Sequence, residues 1–314
     1  AGVVWQRCLE RLGYHEPARA VPDRIRNAWT DENRLRVDRL KPARLFVMDL
    51  GSNPEPVLPG VPTCFIDHHR PGGVGEGDTL ISAYTWNPIP NTSMILWDLC
   101  SPLADISDLD WVAAIGAISD LGDNAPFDLV RAAKRKYTAK YLKEVTTLIN
   151  AARRSSLYDP EAAARALLNH SSPRELFDSS SADVEVLREA RVEVKAALEV
   201  AKKAAPAFAG KVALVRLHSR CQVHPLIAQI WRTRLPKFIV IAANDEYVPG
   251  RVNFSARSAR GESVLDFLRS IPLSEGEGSY ANGHDQASGG SLPVDRWNEL
   301  LAAMGFTEEV FVGR

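Results

Sequence analysis

Long hydrophobic runs are missing from this 314-residue chain. Its longest apolar stretches, such as Phe238-Ile239-Val240-Ile241-Ala242-Ala243, fall far short of the roughly 20 residues a helix needs to cross a bilayer, so no membrane span is expected. Cysteine is scarce. Four residues, at 8, 64, 100 and 221, lie far apart with no CxxC pair, which argues against zinc or dithiol chemistry and for a reducing, cytoplasmic setting. Excess charge of one sign is also lacking: 38 Lys and Arg stand against 39 Asp and Glu, so a polyanionic partner would have to be drawn by local patches. Neither the charged start nor the apolar core of a signal peptide opens the sequence. Instead Ala1, Val3, Val4, Trp5, Cys8, Leu9 and Leu12 repeat at helical spacing with no capping residue in front, so the chain is expected to begin inside a helix, with a structural segment upstream. At 45% apolar and 25% charged, the composition is that of a globular chain of about two domains at roughly 150 residues each.

Strand and helix patterns alternate along the first half. Arg44-Leu45-Phe46-Val47-Met48-Asp49 is a short apolar run that ends in a carboxylate before Gly51-Ser52-Asn53-Pro54, and Thr63-Cys64-Phe65-Ile66-Asp67 repeats the pattern before His68-His69-Arg70-Pro71-Gly72-Gly73. Both read as buried parallel strands, and a less clean third lies around Leu80 to Tyr84. Helices are expected over Thr92 to Leu103, Asp110 to Ser119 and, in a basic stretch, Asp128 to Arg154. The alternation argues for an open α/β sheet whose ligands gather at the carboxyl ends of the strands. Asp183 to Lys203 has no Gly or Pro and reads as a long joining helix that Pro206 to Gly210 ends. A second α/β unit follows: strands Lys211 to Leu217, Phe238 to Ala243 and Arg251 to Arg257, helices Leu226 to Arg234 and Ser263 to Ser270, and a glycine-rich loop around residues 277–290. Domain boundaries are accordingly expected at 1–182, 183–208 and 209–314.

Asp67-His68-His69 at a strand end is the sharpest chemical feature. Neighbouring histidines on an extended segment point to opposite sides, so one can hold a metal while the other faces a substrate, although a turn relaxes this geometry. Asp49 and Asp120 each end an apolar segment of the expected sheet and would come to the same edge as His68. Mixed carboxylate and imidazole donors favour Mn²⁺ over Ca²⁺, with Mg²⁺ possible, and the thiolates usual for zinc are absent. Carboxylates so close would raise one another's pKa unless a cation neutralised them. The bland alternative for each Asp is a helix cap or turn former, which Asp120-Leu121-Gly122-Asp123 could be. The basic, tyrosine-bearing segment from Arg131 to Lys143 could follow a nucleic-acid backbone, but a solvated helix face is the simpler reading. Trp86, Trp97 and Trp231 sit in apolar periodic contexts and read as core. His15, His170, His218 and His224 have no ligand-spaced partners.

Taken together, these motifs resemble the DHH phosphoesterase family, and within it the RecJ-type exonucleases. The likeness rests on Asp49 after its strand, Asp67-His68-His69, Asp120 before Leu121-Gly122, and Gly283-His284 with Ala287-Ser288-Gly289-Gly290. Asn150-Ala151-Ala152-Arg153-Arg154 is similar to the family's Asn-Ala-Ala-Gly-Arg segment, with Arg153 in place of glycine, and Ser255-Ala256-Arg257-Ser258 to its serine-x-arginine-serine strand. The resemblance implies an α/β fold, a parallel-sheet DHH domain joined by a long helix to a smaller α/β DHH-associated domain with the active site in the cleft between them. It implies two Mn²⁺ or Mg²⁺ ions, with Asp49 bridging them and His68 and Asp120 holding the second. His69 would face the substrate phosphate, Asp67 would orient the pair from behind, and Asn150, Arg153, Arg154, Arg257, Ser258, Gly283 and His284 would bind substrate. The family also carries a His-x-x-x-Asp-x-Asp-Gly-like element before its first helix. This chain shows none, which leaves a chain cut after that element, the preferred reading, or a degenerate member short of the first metal.

By this resemblance the expected activity is metal-dependent hydrolysis of single-stranded DNA or short RNA or DNA oligonucleotides from an end, 5′ to 3′. Only a short helix near Trp297 and Phe306 follows His284, too little for an oligonucleotide-binding barrel, so short substrates, or long ones held with a helicase or another replication or repair protein, are expected. A nanoRNase or cyclic-dinucleotide phosphodiesterase shares the same core. A scaffold without catalysis is the alternative of a different class. Family II pyrophosphatases share the triplet but not the Arg257 and His284 elements.

Overall fold

The computed structural model describes residues 1–15, 17–259, 261–274 and 279–313, with the backbone alone at 279 and 282–284. The chain divides into two compact units. The first comprises Ala1–Arg153 and Asp159–Glu189, the second Arg154–Tyr158 and Ala190–Arg314.

The first unit runs α1 (Gly2–Arg11), α2 (Asp31–Asp38), β1 (Leu45–Met48), β2 (Thr63–Asp67), β3 (Thr79–Ser82), α3 (Thr92–Cys100), α4 (Asp110–Leu121), α5 (Asp128–Tyr137), α6 (Ala139–Ala152), α7 (Pro160–Asn169) and α8 (Pro173–Asp178). The three strands form one parallel sheet in the order β1-β2-β3, with Met48 opposite Ile66 and Asp67 opposite Ser82, so their carboxyl ends share an edge. Val47 and Phe65 pack with Ala28, Val57 and Leu58. Phe46, Met48 and Ile66 pack with the helices, in a core that includes Val4, Ile95, Leu96 and Trp111. Burial on both faces explains why these strands read as unbroken apolar runs. The α3 and α4 helices approach closely at Gly116, where an added Cβ would lie 2.0 Å from Ser93 Oγ, so only glycine permits the contact. The basic stretch is two helices and not one, because Thr138 takes φ +65° between α5 and α6.

A continuous helix, α9 (Ala182–Ala201), carries the chain into the second unit, which adds β4 (Pro206–Ala209), β5 (Val212–Leu217), α10 (His224–Arg234), β6 (Ile239–Val248), β7 (Arg251–Arg257), α11 (Val264–Arg269), β8 (Ser279–His284), β9 (Ala287–Pro293) and α12 (Val294–Ala303). Its six strands are ordered β4-β5-β6-β7-β9-β8, parallel only between β5 and β6. Val252, Phe254 and Ala256 alternate into a core with Leu265, Leu292 and Trp297, which leaves Arg251, Asn253, Ser255 and Arg257 to the other face.

Two expectations are corrected here. Pro206 begins an edge strand instead of only ending a helix, a position where its missing N–H costs no ladder bond. The described part of the glycine-rich stretch is a strand pair, not a loop. At Gly289 a Cβ would stand 2.4 Å from the Phe254 carbonyl oxygen, so the glycine serves strand approach instead of a turn. No helix among the described residues is long and apolar enough to cross a membrane.

Candidate metal centre

The carboxyl edge of the parallel sheet gathers Asp49, Asp67, His68 and His69. Asp49 follows β1 in the left-handed region, φ +64°, a conformation that Asp tolerates better than most residues. Its N–H still donates to Ile66 O at 3.2 Å, and its Oδ1 accepts the Thr92 hydroxyl at 2.7 Å. Thr92 is in place because Asn91 caps α3 there, its side chain accepting the Met94 N–H.

Asp67, buried at the end of β2, is saturated with donors. Its Oδ1 accepts the His68 N–H at 2.6 Å, the His69 N–H at 2.7 Å and His69 Nδ1 at 2.6 Å, while Oδ2 accepts the Gly51 N–H at 2.7 Å. Burial would raise its pKa, but the hydrogen bond and charge of His69 outweigh it and hold the carboxyl below its usual range. Asp67 therefore clamps the two strand-end loops together and fixes the His69 ring. For His69, burial would lower the pKa, and the Asp67 bond with the charges of Asp67, Asp49 and Asp120 raises it instead.

His68 is 2% exposed and turns its Nε2 toward two carboxylates, 3.2 Å from Asp49 Oδ1 and 3.7 Å from Asp120 Oδ2. The two imidazoles lie side by side, ring centroids 4.5 Å apart, and not on opposite sides as an extended backbone would put them, because β2 ends at Asp67. Asp120 also departs from expectation: it sits in the last turn of α4 and is no strand end. Its side chain is 45% exposed, but partial loss of solvent pushes its pKa up, the Asp49 charge adds to this, and His68, His69 and Arg153 oppose it. Although 53% of its side chain is exposed, the protein packed around Asp49 would raise its pKa, yet the His68 hydrogen bond, the charges of His69 and His68 and the Thr92 hydroxyl hold it below the carboxylate range. Ligand atoms of Asp49, Asp67, His68 and His69 all lie within 4.8 Å of one another.

Behind Asp120, Asn150 on α6 exchanges hydrogen bonds with Ser119 at 2.8 and 3.0 Å and accepts Arg153 Nε at 3.1 Å. This network sets Arg153 beside Asp120, in the one stretch where the sequence departs from the family's glycine. Arg154 parts from its neighbour and belongs to the second unit, where its carbonyl accepts the Gln222 N–H at 2.7 Å. Arg257 ends β7, and the Ser258 hydroxyl is buried with no hydrogen-bond partner among the described residues. In register, Arg257 stands opposite Ala287, which stands opposite His284; the side chains of Gly283 and His284 lie outside the described residues.

Several sequence readings miss. Trp86 is 49% exposed and is no core residue, since its loop leaves the sheet. His218 does have partners, Asp245 Oδ1 at 2.7 Å and Glu246 Oε2 at 3.5 Å, which come from a strand well along the chain. Thr92, Ser119 and Gly51 enter the sequence reading only as helix bounds and a turn, with no part in the site, although a Thr beside an Asn cap is a usable signal for the first. Within the basic segment, Lys136 pairs with Asp110, Lys143 with Asp123 and Arg131 with Asp128, as a solvated helix face would.

Two carboxylates and one imidazole nitrogen meeting at the mouth of the sheet edge suit a hard or borderline divalent ion. Asp49 and His68 belong to the clustered group, and Asp120, 3.7 Å from His68, stands beside it, so these three side chains could hold a metal while Asp67 is engaged as a brace.

No protein-family model and no curated protein matches the chain. Among solved structures, exonuclease RecJ bound to manganese is similar at TM-score 0.57 and 19% identity over 98% of this chain and 87% of that one. RecJ of Thermus thermophilus in complex with Mn²⁺ is similar at TM-score 0.66 and 18% identity over 96% of this chain, which spans 49% of the Thermus chain. CDC45 of Entamoeba histolytica is similar at TM-score 0.52 and 10% identity over 96% of this chain and 91% of that one. The likeness to the DHH phosphoesterases therefore holds at the level of the fold, and the chain carries the two-unit α/β architecture that RecJ shares with CDC45.

Proposed function

We propose that this protein is a metal-dependent phosphodiesterase that removes nucleotides from an end of single-stranded DNA or short oligonucleotides. The observation that supports it most is the meeting of Asp49, His68 and Asp120 at one edge, braced by the saturated Asp67 carboxylate. Asp49, His68 and Asp120 would hold a Mn²⁺ or Mg²⁺ ion, and Asp49 would bridge to a second. Such ions supply Lewis acidity toward a phosphoryl oxygen and a hydroxide at neutral pH.

The chain's own side chains then bind and orient. With Nδ1 tied to Asp67, the His69 ring presents Nε2 to a phosphate oxygen. Arg153, held by Asn150, sets a guanidinium beside the same phosphate, a group able to grip two oxygens. In the second unit, Arg257, Ser258 and His284 would hold a phosphate or a nucleotide end. Attack from the 5′ end, and a helicase or repair protein as partner, belong to the same proposal.

The test is turnover with Mn²⁺ of an end-labelled single strand, a two- to four-residue RNA and cyclic di-AMP by the full-length natural protein. Stepwise release of mononucleotides from the strand or the short RNA is expected. Turnover of cyclic di-AMP alone would replace this reading with the cyclic-dinucleotide one, and binding without cleavage of any would leave a scaffold.

A further inference from the structure

Trp86 is the only exposed residue among the seven tryptophans, and a lone exposed apolar side chain is ordinary. Its setting is not. The loop that carries it, between β3 and α3, is pinned at both ends to the metal centre. On one side the Ala83 N–H donates to Asp67 O at 3.1 Å, and the Trp86 N–H donates to Ala83 O at 3.0 Å. On the other the Thr92 hydroxyl donates to Asp49 Oδ1 at 2.7 Å. Pro88 and Pro90 stiffen the span between, and Ala83 beneath it is fully buried. Its sequence neighbours Thr85, Asn87 and Pro88 are exposed as well, and 49% of Trp86 is open to a ligand.

A large π-face on a stiff loop, one turn from the strand position paired with Asp67, meets the requirement for stacking a base next to a bound phosphate. We propose that Trp86 is the platform for the nucleobase adjoining the scissile phosphate. The proposal rests on the phosphodiesterase reading and narrows it: the substrate carries a base at that position, unlike a polyphosphate or a sugar phosphate. Because stacking accepts any base, little sequence preference is expected from this contact.

Two measurements keep this idea separable from the activity it builds on. In the first, tryptophan fluorescence of the protein and of Trp86→Phe is titrated with a 5′-phosphorylated thymidine pentanucleotide and with an abasic oligomer of equal length, in EDTA and in Mn²⁺. Quenching by the base-bearing strand alone, absent in Trp86→Phe, is expected whether or not cleavage occurs; no Trp86-dependent quenching in either condition overturns the proposal. In the second, Trp86→Ala raises KM for the pentanucleotide roughly ten-fold or more with little change in kcat, Trp86→Phe recovers most of the loss, and the abasic strand is indifferent to both. An equal effect on both strands would mean that Trp86 shapes the loop and binds no base. If the unaltered protein cleaves neither strand, the hydrolytic reading fails and the fluorescence result alone decides the role of Trp86.

Discussion

Each unit of the molecule sets histidine among carboxylates, and the two arrangements differ in a way that separates a candidate metal centre from an ion pair. In the first unit a single nitrogen of buried His68 faces two carboxylates, Asp49 and Asp120. In the second, His218 stands with 75% of its side chain exposed, one ring nitrogen on Asp245 and the other on Glu246. Donors that converge on one point make a pocket for a cation. Carboxylates set at the two nitrogens of one ring use it as the cation. Residue type and proximity are alike in the two places; convergence on one nitrogen and the burial of the ring distinguish them.

The largest expected effect breaks the comparison outright. Calorimetric titration of Mn²⁺ should show binding that Asp49→Ala or Asp120→Ala abolishes with circular dichroism unchanged, and cleavage should fall to background in both. Asp245→Ala should leave both measurements as they were. Unchanged Mn²⁺ affinity in the first pair, or its loss in the third, would reverse the assignment.

Next in size is Asp67→Asn, which keeps the shape but loses the charge that fixes His69. A brace behind metal ligands usually contributes roughly 10- to 100-fold in affinity or activity, and a drop of that order in kcat/KM is expected. Further back, Ser119→Ala removes the hydroxyl that steadies Asn150 and through it Arg153. A hydrogen bond of about 1 kcal/mol corresponds to a rise of about five-fold in KM, with Mn²⁺ binding unaltered.

The carboxylate edge was legible because it obeys a local rule: an apolar strand run, then an acid, then a turn, as at Asp49 and Asp67. The long joining helix was legible for a similar reason, an uninterrupted stretch without breakers. What escaped depended on partners far along the chain. Asp120 arrives on a helix whose approach is set by Gly116 against Ser93, so strand logic found the residue with the wrong element beneath it. Gly289 and Gly290 looked like a loop because glycine marks both turns and close strand contacts. Trp86 looked like core because apolar periodicity does not reveal which side of a loop is covered.

The smallest effect concerns the second cluster and has a definite sign. The Asp245 hydrogen bond raises the His218 pKa, a slight burial opposes it, and the charges of Asp245 and Glu246 add to it. A group whose folded pKa lies above its unfolded value of about 6.5 contributes stability that is complete below that value and is lost as pH rises through the folded one. With so exposed a ring the contribution is at most about 1 kcal/mol. His218→Gln should therefore melt slightly below the unaltered protein at pH 5.5, the gap should close by pH 8.5, and 0.5 M salt should shrink it at the lower pH. Taking the difference between the two proteins cancels titration at the metal centre. A gap that widened with pH would show that the ring is held neutral, and would overturn its reading as the cation of an ion pair.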